Sequence, residues 1–368
     1  MRVAVILTAR PSWAKLEPVC RALKSRPGVE LQIIACASAL LERYGRVVDV
    51  VRAQGYEVAA EVWSTYEGAS LLTSAKETGA LLVELSSALL TLRADCAVVC
   101  ADRHEVLAAA QAASYLHLPL VHLQGGERTG SIDDKIRDAI TQLADWHCVA
   151  TRQAQFRVYS LTGAMERVIL AGCPSIDLAK QADLAPPVTF EELGGSGAPI
   201  DLARPFLVIA QHSVTDEADE AGFQMALTLC ATRGYQRIVL FPGQDAGSEA
   251  MLKAIRTHTS PLHTIRNLPP ARFLKLLTQS ACLVGNSSAG IRECSYLGVP
   301  VVNVGTRQQG RERGPNVLDV PCDQDAIGGA VRAQVLHGVY PASTLYGEGN
   351  SGERIANVLT DLRLRGAA

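Results

Sequence analysis

Apolar and polar positions along this chain come in blocks rather than in strict alternation. Continuous apolar runs, "RVAVILTA" (2–9), "VELQIIACA" (29–37), "CAVVCA" (96–101) and "LPLVHLQ" (118–124), read as strands. Between them, "AKLEPVCRALKS" (14–25) and "EVLAAAQAASYL" (105–116) carry apolar residues at helical spacing. A strand that is apolar throughout is buried on both faces, which predicts parallel sheet covered by helices. The rhythm breaks at 179–204, where Pro186, Pro187 and "GGSG" (194–197) mark a linker. It resumes with "PFLVIAQ" (205–211), a helix near 217–232, "RIVLFP" (237–242), a helix near 246–257, "ACLVG" (281–285) and "GVPVVNVG" (298–305). "GERIANVLTDLRLR" (352–365) reads as an amphipathic helix. The pattern predicts α/β architecture with two Rossmann-like domains, 1–178 and 205–351, and a C-terminal helix over 352–368. Open α/β sheets bind ligands at the carboxyl ends of their strands. Two such halves facing each other predict a cleft, with the polar loops as its lining.

Composition narrows the class. At 368 residues the chain exceeds what one core usually supports. A net charge of −2 supplies no basic field for nucleic acid or an anionic membrane. No run of about 18 apolar residues exists to span a bilayer. The N-terminus lacks the long apolar stretch of a signal peptide and reads as a first strand. The ten cysteines include no Cys-x-x-Cys pair and no zinc-finger spacing. Reduced thiols in a cytoplasmic protein are therefore expected.

Two clusters carry candidate chemistry. "GNSSAGIRE" (285–293) follows an apolar run and opens a helix with two serines and two glycines. Free N–H groups and a helix dipole there suit a pyrophosphate, although "NSS" taken alone reads better as an ordinary helix cap. "GTRQQGRERG" (305–314) follows, and guanidinium groups from Arg307, Arg311 and Arg313 suit a diphosphate. Glu293 is placed to take a ribose hydroxyl pair, or to pair with a neighbouring arginine. In the N-terminal half, "CADRHE" (100–105) and "HLQGGERTGSIDDKIRDAIT" (122–141) follow strands. Asp102, Arg103, His122, Glu127, Asp133, Asp134, Arg137 and Asp138 supply the groups of general acid–base chemistry, or of a salt-bridged surface.

Taken together these motifs are specific. The chain resembles the hydrolysing UDP-N-acetylglucosamine 2-epimerases of sialic acid pathways, and among them the epimerase half of the animal bifunctional epimerase/kinase. The resemblance runs through "RPSWAKLEP" (10–18), "ADRHE" (101–105), "GGERTGSIDDKIRDAIT" (125–141), "AGCPSID" (171–177), "QHSVT" (211–215), "LFPGQDAGS" (240–248), "GNSSAGIRE", "NVGTRQQGRERG" (303–314) and "YGEGN" (346–350). It implies a GT-B fold, a UDP-sugar substrate, no metal or redox cofactor, and a homodimer or homotetramer. UDP would lie on the C-terminal half, with Ser287 and Ser288 at the diphosphate, Glu293 at the ribose, Leu268 and Phe273 near the uracil, and Arg307 beside the phosphates. Arg10 and His212 would face substrate. Lys15, Arg103, Gln244, Gly290 and Arg311, within the same motifs, complete the substrate-binding candidates. Proton transfers fall at positions matching Asp102, Gln124 and Asp133, with His122, Glu127 and Arg137 as further catalytic candidates. The implied reaction is anti elimination of UDP, then hydration of 2-acetamidoglucal to free N-acetylmannosamine.

The sequence departs from that family at its N-terminal motifs. Gln124 stands where a carboxylate is common, and a neutral amide cannot be a base. Glu127 is the substitute candidate. Cys100 and Ala101 stand for His and Gly, Ser213 for Pro, and Asp138 for His. These changes predict an altered substrate, an altered outcome or weak activity. The competing readings are the same chemistry on a UDP-2,4-diacetamido-trideoxyhexose, a non-hydrolysing UDP-sugar epimerase, a GT-B glycosyltransferase and a non-catalytic nucleotide-sugar binder.

Overall fold

The computed structural model describes residues 1–67, 70–243, 245–266 and 268–362. The chain divides into two compact units. Unit 1 comprises Met1–Glu127, Asp133–Leu178 and the segment from Tyr346, and unit 2 comprises Arg128–Ile132 and Ala179–Leu345.

Unit 1 alternates strand and helix: β1 (Arg2–Leu7), α1 (Arg10–Lys24), β2 (Glu30–Cys36), α2 (Val47–Ala53), β3 (Val58–Val62), α3 (Leu71–Leu92), β4 (Cys96–Cys100), α4 (His104–Tyr115), β5 (Leu120–Leu123), α5 (Ile132–Leu143), β6 (Trp146–Val149), α6 (Arg152–Thr162), β7 (Val168–Leu170) and α7 (Pro174–Gln181). The seven strands run in the order β3-β2-β1-β4-β5-β6-β7, and every pairing is parallel. β1, β4 and β5 are buried almost throughout, as their unbroken apolar runs predict. One face of the sheet packs α1 residues Trp13, Leu16 and Leu23, and the other packs Leu81, Leu85 and Leu89 of α3 with the alanines of α4.

Unit 2 contains α8 (Phe190–Leu193), β8 (Ser196–Gly197), β9 (Phe206–Ala210), α9 (Ala221–Ala231), β10 (Gln236–Leu240), α10 (Ser248–Thr257), β11 (His263–Ile265), α11 (Pro270–Gln279), β12 (Cys282–Gly285), α12 (Ser288–Ile291), α13 (Glu293–Leu297), β13 (Val301–Val304), β14 (Val317–Val320) and α14 (Gln324–His337). Its strand order is β14-β13-β12-β9-β10-β11-β8, parallel except for β8 against β11.

Two segments differ from the expected division. Residues 179–204, read as linker, belong to unit 2: α8 is closed by a Thr189/Glu192 capping box, and β8 pairs with β11. The last helix, α15 (Ser351–Leu362), belongs to unit 1, where Ile355, Ala356 and Leu359 enter the α1 core. Both assignments depend on partners far away in sequence. Among the described residues, no two cysteines form a disulfide. Among the described residues, no helix is long and apolar enough to cross a membrane.

Candidate functional site

Strand order reverses direction in each sheet, between β1 and β4 in unit 1 and between β9 and β12 in unit 2. Crevices at the carboxyl ends of such strands are where open α/β sheets bind ligands. Asp102 and Gln124 in unit 1, and His212, Ser287 and Ser288 in unit 2, follow such strand ends within a few residues.

In unit 1, Ala101 and Asp102 leave β4, while Gln124 leaves β5. Ala101 (φ 71°) and Gln124 (φ 65°) both sit in the left-handed region, which strains a residue bearing a Cβ. The Ala101 N–H donates to the Leu123 carbonyl at 3.0 Å, and the Gln124 N–H to the Cys148 carbonyl at 2.9 Å. The turns are thereby fastened to adjacent strands. Arg137, on the inner face of α5 and almost wholly buried, is the hub. Its guanidinium is ion-paired with Asp102, binds Asp134 at 2.7 Å, and donates to the Glu127 carbonyl. A buried guanidinium requires such partners. Asp133 lies one residue before Asp134, in the first turn of the same helix.

His122 is fully buried. Its Nε2 lies 2.9 Å from the Ala101 carbonyl, which only accepts, so Nε2 carries the proton and Nδ1 faces the Thr141 hydroxyl at 3.2 Å. Burial lowers its pKa to about 4. With both nitrogens committed inside the fold, His122 buttresses the Ala101–Asp102 turn.

Gln124 is also buried. Its amide nitrogen donates to the Cys173 sulfur at 2.9 Å, and Cys173 lies 3.0 Å from the Ser175 hydroxyl. Its Oε1 has no hydrogen-bond partner among the described residues. Arg103 pairs with the buried Glu105 at 3.1 Å. Arg10 and Lys15 lie on α1, whose start follows β1 and carries Pro11 in its first turn. Burial lowers the Arg10 pKa.

In unit 2, the turn after β12 is fixed from three sides. Gly285 adopts φ 130°, and a Cβ there would overlap the Ala210 carbonyl, so only glycine lets β12 close on the end of β9. The Asn286 and Ser287 N–H groups donate to that carbonyl at 3.2 and 3.1 Å. The Asn286 side chain accepts the His212 N–H at 2.7 Å and donates to the His212 carbonyl at 2.8 Å. Arg307 and Gln308 both donate to the Asn286 carbonyl, at 3.3 and 2.8 Å. Ser287 caps α12 by accepting the Ala289 N–H at 3.3 Å. His212, Asn286, Ser287, Ser288 and Arg307 thus share one turn. Glu293 opens the next short helix, and its Oε2 is buried without a partner among the described residues.

The remaining candidates divide. Gly290 faces the sheet, where a Cβ would meet Val301 at 2.9 Å, and its N–H donates to the Ser287 carbonyl. The absent side chain lets α12 pack closely on the sheet. Arg311 contacts the Gln308 side chain, and Arg313 is drawn away to Asp319 at 2.9 Å. Leu268 and Phe273 pack at the edge of the unit 2 core. Gln244 lies outside the described residues.

Sequence reading passed over Asn286 and Gln308 as functional residues. An Asn between a strand-ending Gly and a capping Ser is the available signal. It also missed Glu77, buried on α3, which binds His104 at 3.2 Å and the Tyr66 N–H at 3.0 Å. Nothing local separates Glu77 from the exposed Glu84 seven residues on. Among the described residues, no three His, Cys, Asp or Glu side chains group to hold a metal ion.

A family profile described as UDP-N-acetylglucosamine 2-epimerase matches residues 21–360. A relative from Legionella pneumophila, named UDP-N,N'-diacetylbacillosamine 2-epimerase (hydrolyzing), is 28% identical over 367 residues, covering 99% of this chain and 96% of its own. A UDP-N-acetylglucosamine 2-epimerase from Neisseria meningitidis is 28% identical over 371 residues, covering 98% and 95%. Among solved structures, the Methanocaldococcus jannaschii UDP-GlcNAc 2-epimerase, determined in complex with UDP-GlcNAc and UDP, aligns with a TM-score of 0.80 at 17% identity, covering 98% of this chain and 99% of that one. That likeness is one of fold, and the fold is GT-B-like.

Proposed function

The chain belongs to the UDP-N-acetylglucosamine 2-epimerase family, and from that premise we propose that it is a hydrolysing 2-epimerase that converts UDP-N-acetylglucosamine to N-acetylmannosamine and UDP. One observation carries the reading: Asp102, an acid–base group at the switch point of unit 1, is held by the buried Arg137. The full-length likeness to a relative named hydrolyzing supports the outcome.

In this reading the C2 proton leaves with UDP, breaking the C1–O bond and forming the C1–C2 double bond of 2-acetamidoglucal. Water then adds its oxygen to C1, and a proton returns to C2 on the opposite face. Asp102, Asp133 and Glu127 are the groups for these transfers. The Gln124 amide orients rather than abstracts. Arg137 positions Asp102, and His122 supports the same turn from beneath. Charge grows on the departing diphosphate, where the Ser287 hydroxyl and the Ser288 N–H, with Arg307, stabilise it. Glu293 takes the ribose.

A second reading keeps the chemistry and changes the sugar. The Legionella relative is named for UDP-N,N'-diacetylbacillosamine, and it matches as well as the Neisseria protein. Gln124 and Cys100, both departures in unit 1, predict an altered substrate, an altered outcome or weak activity, and they are also the argument for a non-catalytic nucleotide-sugar binder.

Proton NMR of the protein with each UDP-sugar in D2O tests both. Free sugar deuterated at C2 is expected from one of them. Deuterated UDP-sugar without free sugar would replace hydrolysis by the non-hydrolysing reaction. Saturable UDP binding with no exchange at C2 on either sugar would overturn the catalytic assignment.

A further inference from the structure

Helix α3 buries a carboxylate among leucines. Its buried positions are Glu77, Leu81, Leu85 and Leu89, one every four residues, and the three leucines enter the core of unit 1. A carboxylate at the head of that stripe is costly unless its oxygens are paired. Each oxygen has a partner: Oε1 accepts the Tyr66 N–H at 3.0 Å, and Oε2 lies 3.2 Å from His104 Nε2.

The pairing continues beyond His104. The other ring nitrogen, Nδ1, lies 3.5 Å from Oε2 of Glu105. Both Glu105 oxygens share the Nε–H of Arg103, at 3.1 and 3.3 Å. Four side chains thus follow one another in the order Glu77, His104, Glu105, Arg103. The two carboxylates are buried, at 5% and 2% side-chain exposure, whereas His104 and Arg103 are 23% and 24% exposed. The acidic members face inward and support basic members that face out.

Stability alone does not account for this series. A leucine at position 77 would continue the stripe with no charge to desolvate, and buried ion pairs are commonly no better than apolar packing. The series ends at Arg103, which stands at the start of α4 beside Asp102, the partner of the buried Arg137. A guanidinium binds oxygen through a rigid planar fork, so its direction matters. Glu105 sets that direction from the Nε edge, and His104, braced by Glu77, holds Glu105.

We propose that Glu77 is a positioning residue for the sugar end of the substrate: acting through His104 and Glu105, it aims the Arg103 guanidinium at an oxygen of the hexose. The proposal rests on the UDP-sugar reading and adds to it a side chain that itself touches no substrate.

Binding, not turnover, is the readout. The probes are UDP and the analogue of UDP-N-acetylglucosamine in which CH2 replaces the oxygen joining C1 to phosphorus, so that UDP cannot leave. Calorimetry with each probe separates the sugar's share from the nucleotide's. Arg103→Ala should weaken the analogue about tenfold and leave UDP unchanged. Glu77→Gln keeps the shape and an oxygen for the Tyr66 N–H, but removes the charge facing His104. It should weaken the analogue about threefold to tenfold, again with UDP unchanged. His104→Gln breaks the same series at a partly exposed position, so it decides the matter if the core variant folds poorly. In an Arg103→Ala background both changes should become silent, because they act through that guanidinium. A merely structural role would instead lower both affinities together, or add its loss to that of Arg103→Ala. Either result would overturn the proposal, as would variants that bind both probes like the parent. Since no product is measured, a chain that binds the analogue yet releases no free sugar would fail the proposed reaction and still decide this point.

Discussion

Asp177 accepts the backbone N–H of Ser351 at 2.9 Å and that of Gly352 at 2.7 Å, across 174 residues of chain to the first of them. The carboxylate of α7 thereby caps α15, the helix that closes unit 1. Nearby, the Cys173 N–H donates to the Tyr346 carbonyl at 2.7 Å, and a Cβ at Gly172 would press on Ser351. The motifs "AGCPSID" and "YGEGN" are two halves of one clasp. Beyond it, Gly352 lies against the Pro18 carbonyl of α1, and Ile355, Ala356 and Leu359 fill the core.

Asp177→Ala removes the cap and leaves two buried N–H groups unpaired. A loss of about 1–2 kcal/mol is expected, read as a lower urea midpoint. Proteolysis should become faster near α15 before it does elsewhere. A variant as stable as the parent would mean that the apolar face of α15 alone holds it.

Ala101 pays a conformational penalty at φ 71°, because an L-residue with a Cβ is disfavoured there by about 1–2 kcal/mol. Ala101→Gly should therefore stabilise the protein by roughly 1 kcal/mol, less the entropy that glycine adds to the unfolded chain. Chemical denaturation checks this. A loss of stability would show that the alanine methyl packs well enough to outweigh the strain.

The pattern of apolar runs made the sheets legible, because buried parallel strands need no polar alternation. β3, β7 and β8 were harder to see: they are short, partly exposed, and lie toward the sheet edges. Turn chemistry at Gly285 and Ser287 was readable for the same reason, since it is local. The roles of His122 and Gly290 were not. Whether a histidine titrates or a glycine packs depends on what lies opposite, and here that is the Ala101 carbonyl and Val301.

Burial lowers the pKa of His122 and of His147 to about 4. The folded values lie below the ordinary 6.5, so the unfolded chain binds protons that the folded one refuses. Stability is therefore whole above pH 6.5 and is lost as pH falls toward 4. Between pH 7.5 and 5 each histidine should remove roughly 2 kcal/mol. His147→Gln should abolish its share of the slope. An unchanged slope in that variant would remove His147 from the account.

Gln124→Glu replaces a buried amide with a carboxylate against the Cys173 sulfur. The existing Oε1 already lacks a partner, so a charge there gains no donor. Destabilisation of about 2–3 kcal/mol is expected at pH 7. The introduced carboxyl should carry a raised folded pKa, so the penalty should shrink as pH falls and the group protonates. A pH-independent difference from the parent would show that the new side chain stays charged and finds a partner.

Glu293 offers the sharpest test of the nucleotide assignment. Its Oε2 is a buried acceptor with no partner among the described residues, and such atoms are costly unless a ligand completes them. Two vicinal ribose hydroxyls are donors of the right kind. Glu293→Gln keeps the shape and turns half of the group into a donor. UDP affinity, measured by calorimetry, should fall about tenfold, since a hydrogen bond to a charged group contributes about 1.5–3 kcal/mol. Weakened binding alone would not separate a ribose contact from a disturbed turn. Deoxy analogues do. UDP lacking the 2′- or 3′-hydroxyl should bind the parent less well than UDP does, yet bind the Glu293→Gln variant nearly as well as UDP does. Equal losses in parent and variant would mean that Glu293 and the ribose do not meet, and that the buried oxygen serves the α12–α13 turn instead.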